Sequence, residues 1–375
     1  MSLVLEMAAG DAGGLRKRLL RRAGGRVDPL LREGWPVYAV GGALRDLLSG
    51  RVPRDLDLVA GTDAGTLARL LPEGRWVGQG FRTFVLPRRG TGRWGLPLLQ
   101  IGLFEKDLED ELARRDFSVN AMALAIDGRE GLRDPFGGLA DLARGLLRRP
   151  DRSRDPFAED PLRVLRLARF VAERGFSVEE ETLGLAEAGL PGLGSMASER
   201  IREELLKLFS GTSLRTLSDR LPEGFLGRMF FWSGGRVESP SPGEIPSRLA
   251  RAARIPRTDP LFRLWICLVG GRGPEGSLYF SGRGPAFRRS ERRRLSSWSR
   301  LEEFLAKGGT GTPAFSRRDR ALVLATREDR LDALVAYEAR RRSKKERRPF
   351  LVWADHMVTE LSRPWEEIGG RLTGR

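Results

Sequence analysis

Residues 41–59 read GGALRDLLSGRVPRDLDLV, and the order of features in that stretch decides the fold. Just before it, the apolar run Trp35–Val40 predicts a buried strand that ends on Gly41 and Gly42. Ala43–Leu48 predicts a short helix and Asp55–Val59 a second strand. A strand that stops on two glycines and turns at once into a helix offers backbone N–H groups at the helix N-terminus. That is a cradle suited to phosphate. Arg45 lies about one turn further on and can reach the same anion. Residues two apart in a strand face the same side. Asp55 and Asp57 therefore project together, while Leu56 and Leu58 point into the core. Two carboxylates on one rigid face suit Mg2+, a hard cation that takes oxygen ligands. Each feature also has a plainer reading. An Asp-x-Asp string is commonly a solvated strand face, and Gly41-Gly42 with Arg45 and Asp46 also describes an ordinary tight turn with surface charges.

Further β-like runs follow at Arg75–Val77, Thr83–Leu86 and Leu98–Ile101, and Ala121–Ile126 reads as one more strand or a helix end. Residues 14–33 predict a helix interrupted near Gly24-Gly25. Residues 30–150 thus read as a mixed α/β head with about five strands. From Glu159 the period changes to helical, with Leu162, Leu165, Ala168 and Val171 on successive turns. Ser198–Phe209 reads as an amphipathic helix with Ser198 as its N-cap. Residues 234–247 and 270–289 are rich in Gly, Pro and Ser and read as loops, while 315–375 read as largely helical and basic. The fold class is α+β, with a mixed head followed by an all-helical remainder.

The chain has 375 residues, enough for two to four modules. Its 66 Lys and Arg against 50 Asp and Glu leave a net charge of +16, which points to a polyanionic partner. A single cysteine, Cys267, and a single histidine, His356, exclude an internal disulfide and a zinc site of the usual Cys/His kind. No apolar run approaches a membrane span. Arg16–Arg22 is basic but lacks the apolar region of a signal peptide, so the cytoplasm is the expected compartment and no membrane partner is expected.

Two more strings could complete a nucleotide site. In Arg115-Asp116-Phe117-Ser118-Val119-Asn120, Arg115 is placed to bind phosphate, and Asp116 and Asn120 to bond ribose hydroxyls. A helix end capped by Asn120 is the structural alternative. Glu159-Asp160-Pro161-Leu162-Arg163 reads as a well-made helix start, with proline tolerated in the first turn and acids complementing the dipole. The same residues form a fork. Asp160 could accept from an exocyclic amine while Arg163 donates to the ring acceptors beside it. Cytosine and adenine carry that amine. Guanine and uracil place a carbonyl there, facing a carboxylate with no proton between them. Arg166 and Arg169 continue a basic stripe that could reach phosphates or be a solvated face.

These strings, with DPFGGLADLARGLLR (134–148), EDPLRVLRLARF (159–170) and SERIREELLKLF (198–209), resemble in order and content the class II tRNA nucleotidyltransferases and their bacterial poly(A) polymerase relatives. The resemblance implies a polymerase-β-like nucleotidyltransferase head at 1–150, a helical neck at 151–211 that reads the base, and a helical body and tail at 212–375 that hold tRNA. It implies Asp55 and Asp57 as Mg2+ ligands and catalytic residues. Gly41, Gly42, Arg45, Arg115, Asp116 and Asn120 would hold the phosphates and sugar, and Asp160 and Arg163 the base, with Arg166 and Arg169 close by. Asp134–Asp141 match a motif regarded as a head–neck hinge. The implied partners are the tRNA 3′ acceptor end and CTP, with ATP added if the product is CCA. Two departures stand out. Gln100 occupies a position where many relatives carry an acid, and the connection from Ile101 to the helix before Arg114 is short. The short connection resembles the CC-adding subgroup, whose members stop after two cytidines. A poly(A) or A-adding polymerase, or a noncatalytic RNA-binding protein on the same fold, is the competing reading.

Overall fold

The computed structural model describes residues 12–78, 83–89, 97–104, 107–211 and 213–234, together with 246, 249, 250, 252, 253, 264, 288 and 290. The helical segment expected at 315–375 lies outside the described residues. So do most of the loops expected at 234–247 and 270–289, with Cys267 and His356. The chain separates into two compact units. One comprises residues up to Arg163 with Phe176–Gly189, the other Val164–Gly175 with the residues from Leu190 onward.

In the first unit, α1 (Ala12–Ala23) and α2 (Asp28–Arg32) are parted by Gly24 and Gly25, which adopt φ of 61° and 71°. That left-handed backbone suits glycine and breaks the helix where the sequence predicts. A mixed sheet follows, built from β1 (Val37–Val40), β2 (Leu56–Ala60), β3 (Arg75–Val77), β4 (Thr83–Leu86), β5 (Leu99–Leu103), β6 (Ala123–Ala125) and β7 (Leu132–Arg133). Its strand order is β3-β4-β5-β2-β1-β6-β7. The sheet therefore has seven strands, against the expected five or so. Ala121–Ile126 resolves as a strand because it supplies the ladder partner of β1, pairing Tyr38 with Ala125 and Val40 with Ala123. β7 is two residues long, too short to leave a period in the sequence. β1 is buried at all four positions, as a central strand should be.

Among the described strands of this sheet only β2 and β5 run parallel, and their register sets Asp57 opposite Gln100. Helix α3 (Gly41–Leu48) leaves β1 directly, α4 (Ala64–Leu70) follows β2, and α5 (Leu108–Ala113) follows β5. α5 lays Leu108 and Leu112 on a cluster with Tyr38, Val40, Val59, Ala121, Ala123 and Ala125, and Val59 shares its face of β2 with Asp57. A 3-10 turn, Ser118–Asn120, precedes β6, and α6 (Gly138–Arg144) follows β7. The short α7 (Pro156–Glu159) then leads to α8 (Leu162–Arg174).

The second unit takes most of α8, a 3-10 segment at Leu190–Ser195, and the helix Ser198–Phe209. That helix buries Ile201, Leu205, Leu208 and Phe209 at the helical spacing the sequence predicts. Ser198 is not its cap, however. The cap position is Ala197, no side chain caps the helix, and Ser198 is the first helical residue. Among the described residues no helix is long and apolar enough to cross a membrane.

Candidate active site

Gly41 is where the site converges. It adopts φ +62° at the junction of β1 and α3. A Cβ built there would stand 2.7 Å from Arg115 Nη1 and 3.4 Å from Asp57 Oδ2. At Gly42 it would stand 3.4 Å from Asp57 Oδ2 and 3.5 Å from Arg45 Nη2. Residues from three separate strings thus meet over two side-chain-free positions, leaving backbone N–H groups at a helix N-terminus between a carboxylate and two guanidinium groups.

The guanidinium groups are held from behind. Arg45, itself buried, donates through Nη1 to Asn120 Oδ1 at 2.7 Å and through Nη2 to Asp46 Oδ1 at 2.8 Å. Asn120 Nδ2 donates to Asp116 Oδ1 at 2.7 Å, which also accepts from the Phe117 amide at 2.9 Å. Asp116 and Asn120 therefore support Arg45 as links of one buried chain. Arg115 Nη2 donates to Glu111 Oε1 at 3.3 Å, one helical turn back. Its Nε is buried and meets no acceptor among the described residues.

The opposite side of the Ser118–Asn120 turn is bracketed by the Asp134–Asp141 motif. Ser118 Oγ donates to Asp141 Oδ2 at 2.5 Å, and Arg148 Nη2 reaches the same oxygen at 2.7 Å. Arg148 also donates to Phe136 O at 2.6 Å, and its own carbonyl accepts from the Ser118 amide at 2.8 Å. Asp134 caps α6, accepting from the Gly138 and Leu139 amides at 2.6 and 2.9 Å. Gly138 lies so close to Ser118 that a Cβ would fall 2.1 Å from its carbonyl oxygen.

Asp55 stands one residue ahead of β2 and accepts from Arg88 Nη2. Asp55 and Asp57 offer hard carboxylate oxygens two residues apart, with Gln100 opposite Asp57 in the strand register. Such a set fits Mg2+, which is held by one or two carboxylates and completes its shell with water and substrate phosphates. Among the described residues no group of three or more acids, histidines or cysteines is placed to hold a metal ion.

The fork residues lie on the same unit. Asp160 Oδ1 accepts from the Leu162 amide at 3.2 Å and so caps α8. Arg163 donates through Nη2 to Arg114 O at 2.5 Å, and through Nη1 to Pro156 O at 3.2 Å and Glu159 Oε2 at 3.3 Å. The fork arginine is thus tied to the backbone next to Arg115, and Phe157 lies 6.5 Å from Phe117, ring centre to ring centre. Arg166 and Arg169 belong to the second unit. Arg169 donates to Glu204 Oε2 at 3.1 Å. Burial pulls the Glu204 carboxyl up, but the positive charges of Arg169, Arg166 and Lys207 outweigh it and leave it below its ordinary range. Four supports escape the sequence reading: Arg88, Glu111, Glu159 and the Ser118–Asp141–Arg148 bracket. The four-residue spacings of Glu111 to Arg115 and Glu159 to Arg163 were signals available for two of them.

Comparison with known proteins finds relatives of one kind. A family profile described as "Poly A polymerase head domain" matches residues 100–148. The CC-adding tRNA nucleotidyltransferase of Halalkalibacterium halodurans is 35% identical over 189 residues, covering 50% of this chain and 48% of the relative. The CCA-adding enzyme of Geobacillus kaustophilus is 34% identical over 198 residues, 50% of this chain and 48% of the relative. The chain thus spans about half the length of the curated relatives it matches. The solved structure of the Thermotoga maritima CCA-adding enzyme complexed with tRNA shares the fold, with a TM-score of 0.64 at 23% identity over 91% of this chain and 82% of that one. In its head and in these relatives the chain is thus similar to tRNA nucleotidyltransferases and poly(A) polymerases.

Proposed function

We propose that the chain is a Mg2+-dependent, template-independent tRNA nucleotidyltransferase. It adds CMP to the 3′ end of tRNA and releases pyrophosphate. The observation that carries this reading is the meeting of Asp57, Arg115 and Arg45 over Gly41 and Gly42. The triphosphate of CTP lies along the glycine turn, where backbone N–H groups and the two guanidinium groups neutralise it. The buried Nε of Arg115 gains the acceptor it lacks. Asp116 and Asn120 orient Arg45 and bond the ribose. Asp160 and Arg163 read the base edge, which requires Arg163 to exchange Glu159 for the nucleotide. Arg166 and Arg169 lie further along the same helix. The RNA 3′ oxygen attacks the α-phosphorus and loses its proton. The bond from that phosphorus to the bridging oxygen breaks, and its electron pair leaves with pyrophosphate. Asp55 and Asp57 would hold Mg2+, which supplies Lewis-acid activation of the hydroxyl and charge neutralisation of the leaving group.

The domain reading that goes with this function is a head at 1–150, a neck at 151–211, and a tRNA-holding body and tail at 212–375. Two cytidines are the favoured product. The support is the short connection, since only residues 104–107 separate β5 from α5. Full CCA addition, with ATP as second substrate, is the alternative. The test supplies Mg2+ and tRNA lacking its 3′ end with labelled CTP or ATP in turn. CTP incorporation that stops at two residues, with no later ATP uptake, is expected. ATP uptake after CTP establishes CCA addition, and long tracts from ATP alone a poly(A) polymerase. No incorporation with either nucleotide removes the enzymatic reading.

A further inference from the structure

We propose that Arg88 is a positioning residue of the metal ledge: a resident counter-ion that holds Asp55 in the metal-free protein and must be displaced when a divalent cation binds. The inference rests on the reading of Asp55 and Asp57 as metal ligands. Thirty-three residues separate Arg88 from Asp55, and the sheet brings them together. β4 ends with Leu86 opposite Leu99, and β2 begins with Leu56 opposite the same Leu99. The residues just past β4 and just before β2 therefore emerge at one end of the sheet.

The arm that carries Arg88 is anchored. Arg26 is 6% exposed and donates to Ala23 O at 2.9 Å, Pro87 O at 3.1 Å and Pro97 O at 2.9 Å. It thus fixes the backbone of the residue preceding Arg88, and Pro87 has its own φ set by its ring. The head of the arm is open by contrast: the side chains of Arg88 and Asp55 are 57% and 35% exposed. A fixed base with a solvent-accessible charge is suited to yielding its partner to an ion arriving from water.

The chemistry supports an exchange. Asp55 and Asp57 are like charges two residues apart, and Gln100, opposite Asp57, brings no third. Without metal, the carboxylates would repel each other. Arg88 offsets that repulsion, and it does so on the group the cation needs. A contact that must break before a ligand binds lowers the apparent affinity by its own worth. For an exposed ion pair that is roughly a two- to fivefold effect.

The experiment titrates Mn2+ into the full chain without nucleotide or RNA, by calorimetry and by the loss of the free Mn2+ paramagnetic resonance signal. Arg88→Ala and the bulk-preserving Arg88→Gln are each expected to bind Mn2+ about two- to fivefold more tightly than the natural chain. Their thermal midpoints are expected to stay within a few degrees. In an Asp55→Asn background the same substitutions should no longer change the affinity, because the coupled partner is gone. Unchanged or weaker Mn2+ binding in both Arg88 variants, with Asp55→Asn/Asp57→Asn abolishing it, overturns the role of Arg88 alone. Undiminished Mn2+ binding by Asp55→Asn/Asp57→Asn overturns the metal-ledge reading itself.

Discussion

The Ser118–Asn120 turn has two sides, and they are built on opposite principles. On one side Asn120 faces Arg45, and beyond it Arg115 and Asp57 crowd the space over Gly41 and Gly42 with the ends of charged side chains. On the other, Ser118 faces the buried Asp141 and the backbone of Gly138. Both places exclude a Cβ, but for different reasons. At Gly41 the obstacle is the end of an arginine, which can move. At Gly138 it is a carbonyl oxygen, which cannot move without the turn. The first kind of crowding can yield to a ligand, and the second holds the turn rigid.

Substitutions can break this contrast, beginning with the largest effect. Asp57→Asn is expected to lower nucleotide incorporation by about a hundred- to thousandfold, the scale of removing one electrostatic element of a reaction centre. Its thermal midpoint should barely move. An equal loss of both would merge the two sides into one structural unit. Gly138→Ala should do the reverse. With its Cβ driven against Ser118 O it should cost about 3 kcal/mol of stability, at the upper end for overpacking. Chemical denaturation reads that loss, and activity per folded molecule should be largely retained at permissive temperature.

Gly41→Ala sharpens the contrast further. Holding a non-glycine residue at left-handed φ costs about 1–2 kcal/mol. The larger consequence is functional, because the new methyl pushes Arg115 aside. Loss of one charge-assisted contact should raise KM for CTP by about tenfold or more. Ser118→Ala is the mildest. It removes one of the two donors on Asp141 Oδ2 and leaves Arg148, so about 1 kcal/mol of stability is expected to go. The incorporation rate of the folded fraction should change less than twofold.

Much of this architecture was legible because it is local. The break at Gly24-Gly25, the strand leading into Gly41 and the helix after it, and the amphipathic period of Ser198–Phe209 all follow from neighbouring residues. β6 was ambiguous because an alanine-rich run suits a strand or a helix end until β1 supplies its ladder. The Ser198 cap failed as a reading because a favourable cap residue does not fix where a helix begins. Here the chain becomes helical at Ser198 itself, after Ala197.

The residue types of the site could be read from the chain, since carboxylates, arginines and paired glycines in those strings have few joint uses. Their partners could not be read in the same way. Arg45 with Asn120 spans 75 positions, Arg88 with Asp55 spans 33, and Ser118 with Asp141 spans 23. Periodicity carries no information at such separations, because these contacts arise only when strand register and helix packing close the intervening loops. Local chemistry thus named the groups proposed to meet a nucleotide. Folding of the sheet decided which of them face one another and which spend their charge holding the others in place.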